Sequence, residues 1–217
     1  MKVLVIDVGG THVKVLASGK RKHREFDSGP KLTPRQMVAG VRKLAAGWSY
    51  GVVSIGYPGP ALRGRPVAEP NNLGPGWVGF DFRHAFGKPV RLVNDAAMQA
   101  LGSYTGGRML FLGLGTGLGS ALIVDGVLQP TELAHLPYHH GKSFEDYVGL
   151  RGLRRLGKTR WRAAVRDVVA KLAAALQVEY VVLGGGNARH MKSLPKNTRL
   201  GNNDNAFRGG FKLWKDR

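Results

Sequence analysis

The chain opens on a short apolar run, Lys2 to Ile6, rich in β-branched residues and ending at Asp7-Val8-Gly9-Gly10. Such a run predicts a buried strand entering a tight turn. His12 to Ala17 reads as the returning strand, which makes a hairpin, and Arg24 to Phe26 as a third strand. Thr33 to Ala46 carries Thr-Pro at its start and stops before Gly47. Thr as N-cap and Pro at the first helical position predict a helix there. Val52 to Ile55 predicts a strand running into Gly56-Tyr57-Pro58-Gly59-Pro60, and residues 61–87 read mostly as loop. Val90 to Val93 reads as a strand and Asp95 to Tyr104 as a helix.

In the second half, Met109 to Leu114 and Ser120 to Val124 read as paired strands around a glycine loop, with Asp125-Gly126 as a hairpin turn and a short strand after it. Thr159 to Leu176 is the longest predicted helix, Tyr180 to Leu183 a strand ending in three glycines, and Asp204 to Trp214 a closing helix. Hairpins mixed with strand–helix alternation, occurring twice, fit two α/β lobes with a cleft between them better than one parallel sheet. The expected division is a smaller lobe over 1–104, completed by a helix over 204–217, and a larger lobe over 105–203.

Composition narrows the function classes. The 217 residues are 43% hydrophobic, enough for a packed core and too many for a disordered basic tail. No cysteine is present, which excludes disulfides and Cys-ligated metal. No apolar run approaches the length of a membrane helix, and the N-terminus lacks a cleavable leader pattern, so the expected location is the cytoplasm without membrane association. Lys plus Arg number 33 against 14 Asp plus Glu, a formal charge of +19. That surplus suits a polyanionic partner such as nucleic acid or phosphate chains, or reflects a basic proteome. The 32 glycines are clustered, which argues for defined loops.

Asp7-Val8-Gly9-Gly10-Thr11 can turn tightly, aim N–H groups outward, add a hydroxyl and offer a carboxylate to Mg²⁺ directly or through water. An ordinary hairpin turn would have the same residues. Gly113-Leu114-Gly115-Thr116-Gly117-Leu118-Gly119 is a second glycine loop, but its spacing fails G-x-G-x-x-G and no helix follows. Gly152 to Thr159 formally matches G-x-x-x-x-G-K-[ST], yet the residues before it read as helical, where a P-loop needs a buried strand. There Gly157 is expected to break two helices. Asn94-Asp95 opens a helix at a strand end. Asp95 is either a plain N-cap or a general base for a hydroxyl that attacks phosphorus. Glu132 and His135, three apart, would share a face within one turn and suit vicinal hydroxyls, with Glu145 nearby. Asn71-Asn72 followed by Gly-Pro-Gly-Trp77 makes a polar loop with an aromatic.

Together and in this order, the motifs resemble the ROK family of sugar kinases, and most of all its polyphosphate glucokinase branch. Asp7 to Thr11 resembles the first phosphate motif, Tyr57 to Pro60 the Pro-Gly loop, and Asn71 to Trp77 the sugar loop. Val93 to Ala96 is similar to the catalytic segment, Leu114 to Gly119 to the second phosphate loop, and Thr131 to His135 to the Glu-x-Gly-His motif. Phe144 to Tyr147 resembles the later segment whose Glu holds sugar, and Val182 to Gly186 the turn at the donor's nucleoside end.

The resemblance implies an actin/hexokinase-like (ribonuclease H-like) fold, two α/β lobes closing on a cleft, and commonly a homodimer. It implies glucose or a related hexose as acceptor, polyphosphate or ATP as donor, and Mg²⁺ near Asp7. Asp95 would be the base, with Asn71, Asn72, Asn94, Glu132, His135 and Glu145 on sugar. Asp7, Gly9, Gly10, Thr11, Lys14, Gly115, Thr116 and Gly117 would hold phosphate, with Gly184, Gly185 and Gly186 on the donor side.

Departures from the family are instructive. The zinc-binding cysteines of many members are missing, which leaves His135 to sugar alone and implies no zinc. Ala134 replaces the usual Gly, an extra residue precedes Trp77, and little chain follows Gly186 for an adenine pocket. Between Arg151 and Lys171 lie eight bases against Asp167. Arg151, Arg155, Lys158, Arg162 and Arg166 form a candidate polyphosphate track, the last four on one helical face if Gly157 leaves the helix unbroken. A solvated basic face is the alternative. A sugar-binding regulator or a nucleic-acid-binding protein without kinase activity remain the competing functions.

Overall fold

The computed structural model describes residues 1–202 and 204–215. Asn203, Asp216 and Arg217, which the sequence reading assigns to the second lobe and the closing helix, lie outside the described residues. The chain divides into two compact units, Met1–Met98 with the segment from Ala206 onward, and Gln99–Asn205.

The first unit is built on a five-stranded sheet of order β3-β2-β1-β4-β7. Its strands are β1 (Val3–Val8), β2 (His12–Ala17), β3 (Arg24–Asp27), β4 (Val52–Tyr57) and β7 (Val90–Asn94). β1, β2 and β3 form an antiparallel meander, while β1, β4 and β7 run parallel. Val3 to Ile6 are all buried, as a strand covered on both faces requires. Helix α1 (Pro34–Leu44) begins with a complete capping box between Thr33 and Gln36. It buries Met37, Val38 and Val41 against a core that includes Ile6, Ile55 and Trp77.

The segment read as loop contains ordered pieces. A two-stranded hairpin of β5 (Ala61–Leu62) and β6 (Arg65–Pro66) comes first. Helix α2 (Phe82–Phe86) follows, capped by Asp81 and ended by left-handed Gly87. Helix α3 (Asp95–Ser103) crosses from the first unit into the second.

The second unit has a sheet of order β10-β9-β8-β11-β12. Its strands are β8 (Arg108–Leu114), β9 (Leu118–Val124), β10 (Val127–Thr131), β11 (Tyr180–Gly184) and β12 (Thr198–Leu200). β8, β9 and β10 are again an antiparallel meander, and β11 joins β8 in parallel. Helix α4 (Phe144–Val148) has a Ser143–Asp146 capping box.

Helix α5 (Leu150–Leu176) packs Trp161, Val165, Val168 and Leu172 into the core but is broken at Gly157, whose φ of 68° and ψ of 165° are not helical. The P-loop match therefore lies in kinked helix. A 3-10 turn over Gly186–His190 and β12, both absent from the sequence reading, follow β11. Helix α6 (Asn205–Lys212) returns to the first unit, where Phe207 packs with Val3, Val5 and Val52.

Candidate active site

In the first unit the candidate residues collect at the carboxyl ends of the parallel strands, where open α/β sheets place ligands. Register aligns Asp7 with Gly56, Gly56 with Val93, and Tyr57 with Asn94, so β1, β4 and β7 end side by side. Asp7 also faces Lys14 across the hairpin. Beyond Val8 the chain turns: Gly9 N–H donates to the His12 carbonyl at 3.0 Å, and Gly10 and Thr11 are exposed at the tip. Ser28 Oγ donates to the Gly9 carbonyl at 2.6 Å, a brace on the turn that sequence reading missed. A Cβ at Gly10 would stand 3.2 Å from Cβ of Asn72, so the structure brings the Asn71-Asn72 loop onto the phosphate turn. That loop is held from behind by Glu69, whose carboxylate accepts from the N–H groups of Trp77 and Val78, both at 3.1 Å. Glu69 was also missed; its only signal was a carboxylate just ahead of Pro70-Asn71-Asn72.

Asn94 ties the catalytic segment to the Pro-Gly loop, its Nδ2 donating to the Gly59 carbonyl at 3.0 Å. The Asn94 Oδ1 accepts from Ala96 N at 2.9 Å and Ala97 N at 3.3 Å. Asn94, not Asp95, is thus the residue with N-cap geometry, and Asp95 is the first helical residue. The half-buried Asp95 carboxylate accepts from Ala96 N at 2.7 Å. With capping supplied by Asn94, the N-cap reading of Asp95 falls away.

In the second unit the glycine loop joins β8 to β9, and the end of β11 lies beside it, with Gly113 opposite Gly184. The backbones touch: a Cβ at Gly185 would fall 2.5 Å from the Leu114 carbonyl oxygen. Asn187 Nδ2 donates to the Gly115 carbonyl at 2.8 Å, a clamp on the loop that no sequence pattern flagged. Thr116 is exposed at the loop tip, and its carbonyl accepts from Leu150 N–H at 3.1 Å. Glu145 lies against the same loop, where its Oε2 accepts from Leu118 N–H at 3.1 Å and leaves no room for a Cβ at Gly117. Glu145 N–H donates to the Ala134 carbonyl at 3.0 Å, which brings the Glu132–His135 segment to it. Glu132 and His135 are exposed on a non-helical turn, so the shared helical face expected for them does not form.

The five residues of the basic track do not lie on one helical face, because the helix is broken at Gly157. Arg151 pairs with Glu145 at 3.6 Å and Asp146 at 3.4 Å, and Arg155 donates to the Asp146 carbonyl at 2.8 Å and lies over the Tyr147 ring. Past the Gly157 break, Arg162 donates to the His190 carbonyl at 2.6 Å and Arg166 to Ser193 Oγ at 3.3 Å. The kink turns the two groups to different partners, and no common helical face joins Arg151 and Arg155 to Lys158, Arg162 and Arg166, which follow the break at steps of four.

For magnesium, burial raises the Asp7 carboxyl above its ordinary range, opposed by the charges of Lys14 and His23. A desolvated anion of this kind gains from an added cation. Among the described residues no group of three or more His, Asp or Glu forms a metal cage. Mg²⁺ held largely by water and phosphate oxygens, touching one carboxylate, needs no such cage. The residues present fit an ion of that kind.

In fold the chain is similar to solved ROK-family kinases, whose α/β architecture is actin/hexokinase-like. An inorganic polyphosphate/ATP-glucomannokinase from Arthrobacter sp. strain KM superposes with a TM-score of 0.82 at 22% identity, covering 98% of this chain and 97% of that one. A ROK family glucokinase from Streptomyces griseus, solved with glucose and AMPPNP, superposes with a TM-score of 0.74 at 15% identity, covering 98% and 99%.

In sequence the chain is similar to the polyphosphate glucokinase of Mycobacterium tuberculosis, 28% identical over 173 residues, 72% of this chain and 64% of that protein. A glucokinase of Pyrobaculum calidifontis is 29% identical over 140 residues, 58% of this chain and 45% of that protein. The chain spans less than two thirds of the length of these relatives. No family model matches it.

Proposed function

We propose that the protein is a glucokinase that transfers a terminal phosphoryl group from polyphosphate or ATP to the 6-hydroxyl of glucose. The observation that carries the reading is the convergence at one sheet end of the Asp7–Thr11 turn, Asn72, and Asp95 at the first turn of α3. The sequence similarity to polyphosphate glucokinases supports the same chemistry.

In this mechanism the Asp95 carboxylate accepts the hydroxyl proton as the sugar oxygen bonds to phosphorus and the donor's bridging P–O bond breaks in line. Asn94 fixes the segment by capping α3 and holding Gly59. Gly10 and Thr11 offer a backbone N–H and a hydroxyl to the transferring charge, Gly9 shapes the turn that presents them, and Gly115, Thr116 and Gly117 are assigned to the donor phosphates. Asp7 would hold Mg²⁺ through water, and the ion neutralises charge on the phosphate oxygens when bound. Asn71, Asn72, Glu132, His135 and Glu145 are assigned to the sugar, and Gly184 to Gly186 to the donor. The reading extends to a cytoplasmic homodimer.

The test is a coupled glucose assay run with ATP and with inorganic polyphosphate, on the wild type and Asp95→Asn. The wild type is expected to form glucose 6-phosphate, and the variant to lose about 10²–10⁴ in kcat with its fold intact. Wild-type-like turnover in Asp95→Asn would remove the assignment, and turnover with ATP alone would remove polyphosphate as donor.

A further inference from the structure

A polar cavity of about 680 Å³ opens in the first unit, away from the carboxyl ends of the strands, beside Val90 at the amino end of β7. Its size falls within the range of small-molecule sites. Three arginines line it from two elements: Arg63 and Arg65 from the β5–β6 hairpin, and Arg83 from α2. The hairpin turn is sharp, with Arg63 at φ 51° and Gly64 at φ 78°, and Val67 N–H pins its far side to the Pro60 carbonyl at 3.0 Å.

Asp81 is the acid in the lining, and its Oδ1 is committed to the His84 N–H at 2.9 Å as the cap of α2. Among the described residues, the side chains of Arg63, Arg65 and Arg83 make no ion pair or hydrogen bond. The basic residues of α5 behave oppositely: Arg151, Arg155, Arg162 and Arg166 all have protein partners. Three like charges around one cavity repel each other, and the arrangement is relieved by an anion.

Each guanidinium presents a planar fork that matches phosphoryl oxygens two at a time. Three such forks on two elements suit a ligand that carries several phosphoryl groups in a row, as a linear chain of phosphates does. We propose that the Arg63–Arg65–Arg83 cavity binds inorganic polyphosphate. This goes beyond the kinase reading, because binding here requires neither glucose nor turnover.

Hydrogen exchange of the full chain, with and without sodium polyphosphate, resolves this cavity from the glycine loops. The comparison variant is Arg63→Asn/Arg65→Gln/Arg83→Gln, in which Asn keeps the left-handed turn position accessible. Its melting curve verifies the fold. Polyphosphate is expected to protect residues 62–66 and 80–84 in the wild type at least several-fold, and the variant to lose that protection.

Protection at 113–119 reports the proposed donor loop separately, so its absence would count against the donor reading alone. Unchanged exchange at 62–66 and 80–84, or protection that persists in the variant, would overturn the proposal. So would equal protection by orthophosphate at matched phosphorus concentration, which would mark a single-anion pocket. Equal protection by single-stranded DNA would give the cavity to nucleic acid and overturn it as well.

Discussion

Burial holds the Asp7 carboxyl above the usual carboxylate range even though Lys14 and His23 oppose it. For an acid with a raised folded value, stability is complete below the unfolded pKa and is lost as pH rises through the folded one. Ionised Asp7 therefore costs stability at neutral pH. Asp7→Asn is expected to unfold about 0.5–2 kcal/mol less readily than the wild type at pH 7. The gain should vanish near pH 3, where both carry a neutral side chain, and glucose phosphorylation should fall sharply. Urea melts at the two pH values check this, and a destabilised variant at pH 7 would contradict it. The strand end and the glycine pair that follow Asp7 were readable from local pattern. Its desolvation was not, because that comes from neighbouring strands distant in sequence. Gly185 is a second case. Its φ of 78° and the 2.5 Å approach of the Leu114 carbonyl to any Cβ leave no space for alanine. Gly185→Ala should cost about 1–3 kcal/mol in strain, with more from the clash, and should weaken donor use more than sugar use. Thermal melts and separate KM values for donor and glucose would measure both.

At the scale of elements, α6 is joined to β4 by one buried hydroxyl. Ser54 Oγ donates to the Gly210 carbonyl at 2.6 Å and accepts from Trp214 Nε1 at 2.9 Å, and the residue is fully buried. Ser54→Ala leaves both groups without that partner, and the expected loss is about 1–3 kcal/mol. Hydrogen exchange should show α6 opening before the rest of its sheet. Uniform loosening of the whole unit would argue against this local role. Elements such as α1 and the two hairpins were legible because their signals are local: Thr33 and Gln36 cap within four residues, and β1 and β2 follow one another. The β5–β6 hairpin, α2, the Gly186–His190 turn and β12 were not. β12 has only three residues, two of them exposed, and exists through pairing with β11 about seventeen residues earlier. The candidate site followed the same division. Asp95 is marked as a candidate by its place between strand and helix, while Glu69 and Asn187, which brace loops from outside the motifs, carried no local mark.

Across the whole molecule, charge sets the conditions under which these contacts hold. Acids are few, and several of those present are ionised against strong partners. Asp146 is held below the ordinary range by the Ser143 N–H and hydroxyl, and Asp167 by the Tyr138 hydroxyl and Lys171. Acids with lowered values give stability that is present above the unfolded pKa and lost as pH falls through the folded one. His190 is lowered by burial and by Lys158, Arg189 and Arg162. Its neutral form suits the fold, so stability also falls as pH drops from the ordinary histidine range toward its own value. Protonating the 14 carboxylates and the 7 histidines would take the formal charge of +19 to about twice that value. Linkage and self-repulsion act in the same direction, and Asp7 alone among these shifted acids opposes them. Stability is therefore expected to decline modestly between pH 7 and 5 and steeply below about pH 4. Salt screens the repulsion over roughly 8 Å at physiological strength but leaves the short hydrogen-bonded contacts of Asp146 and Asp167 largely intact. Added sodium chloride should thus move the acid midpoint downward without abolishing the transition. Denaturation followed from pH 7 to 2 at low and high chloride tests the division between the two causes. A midpoint independent of salt would mean that the basic surplus contributes nothing to acid unfolding, and that Asp146, Asp167 and His190 account for it unaided.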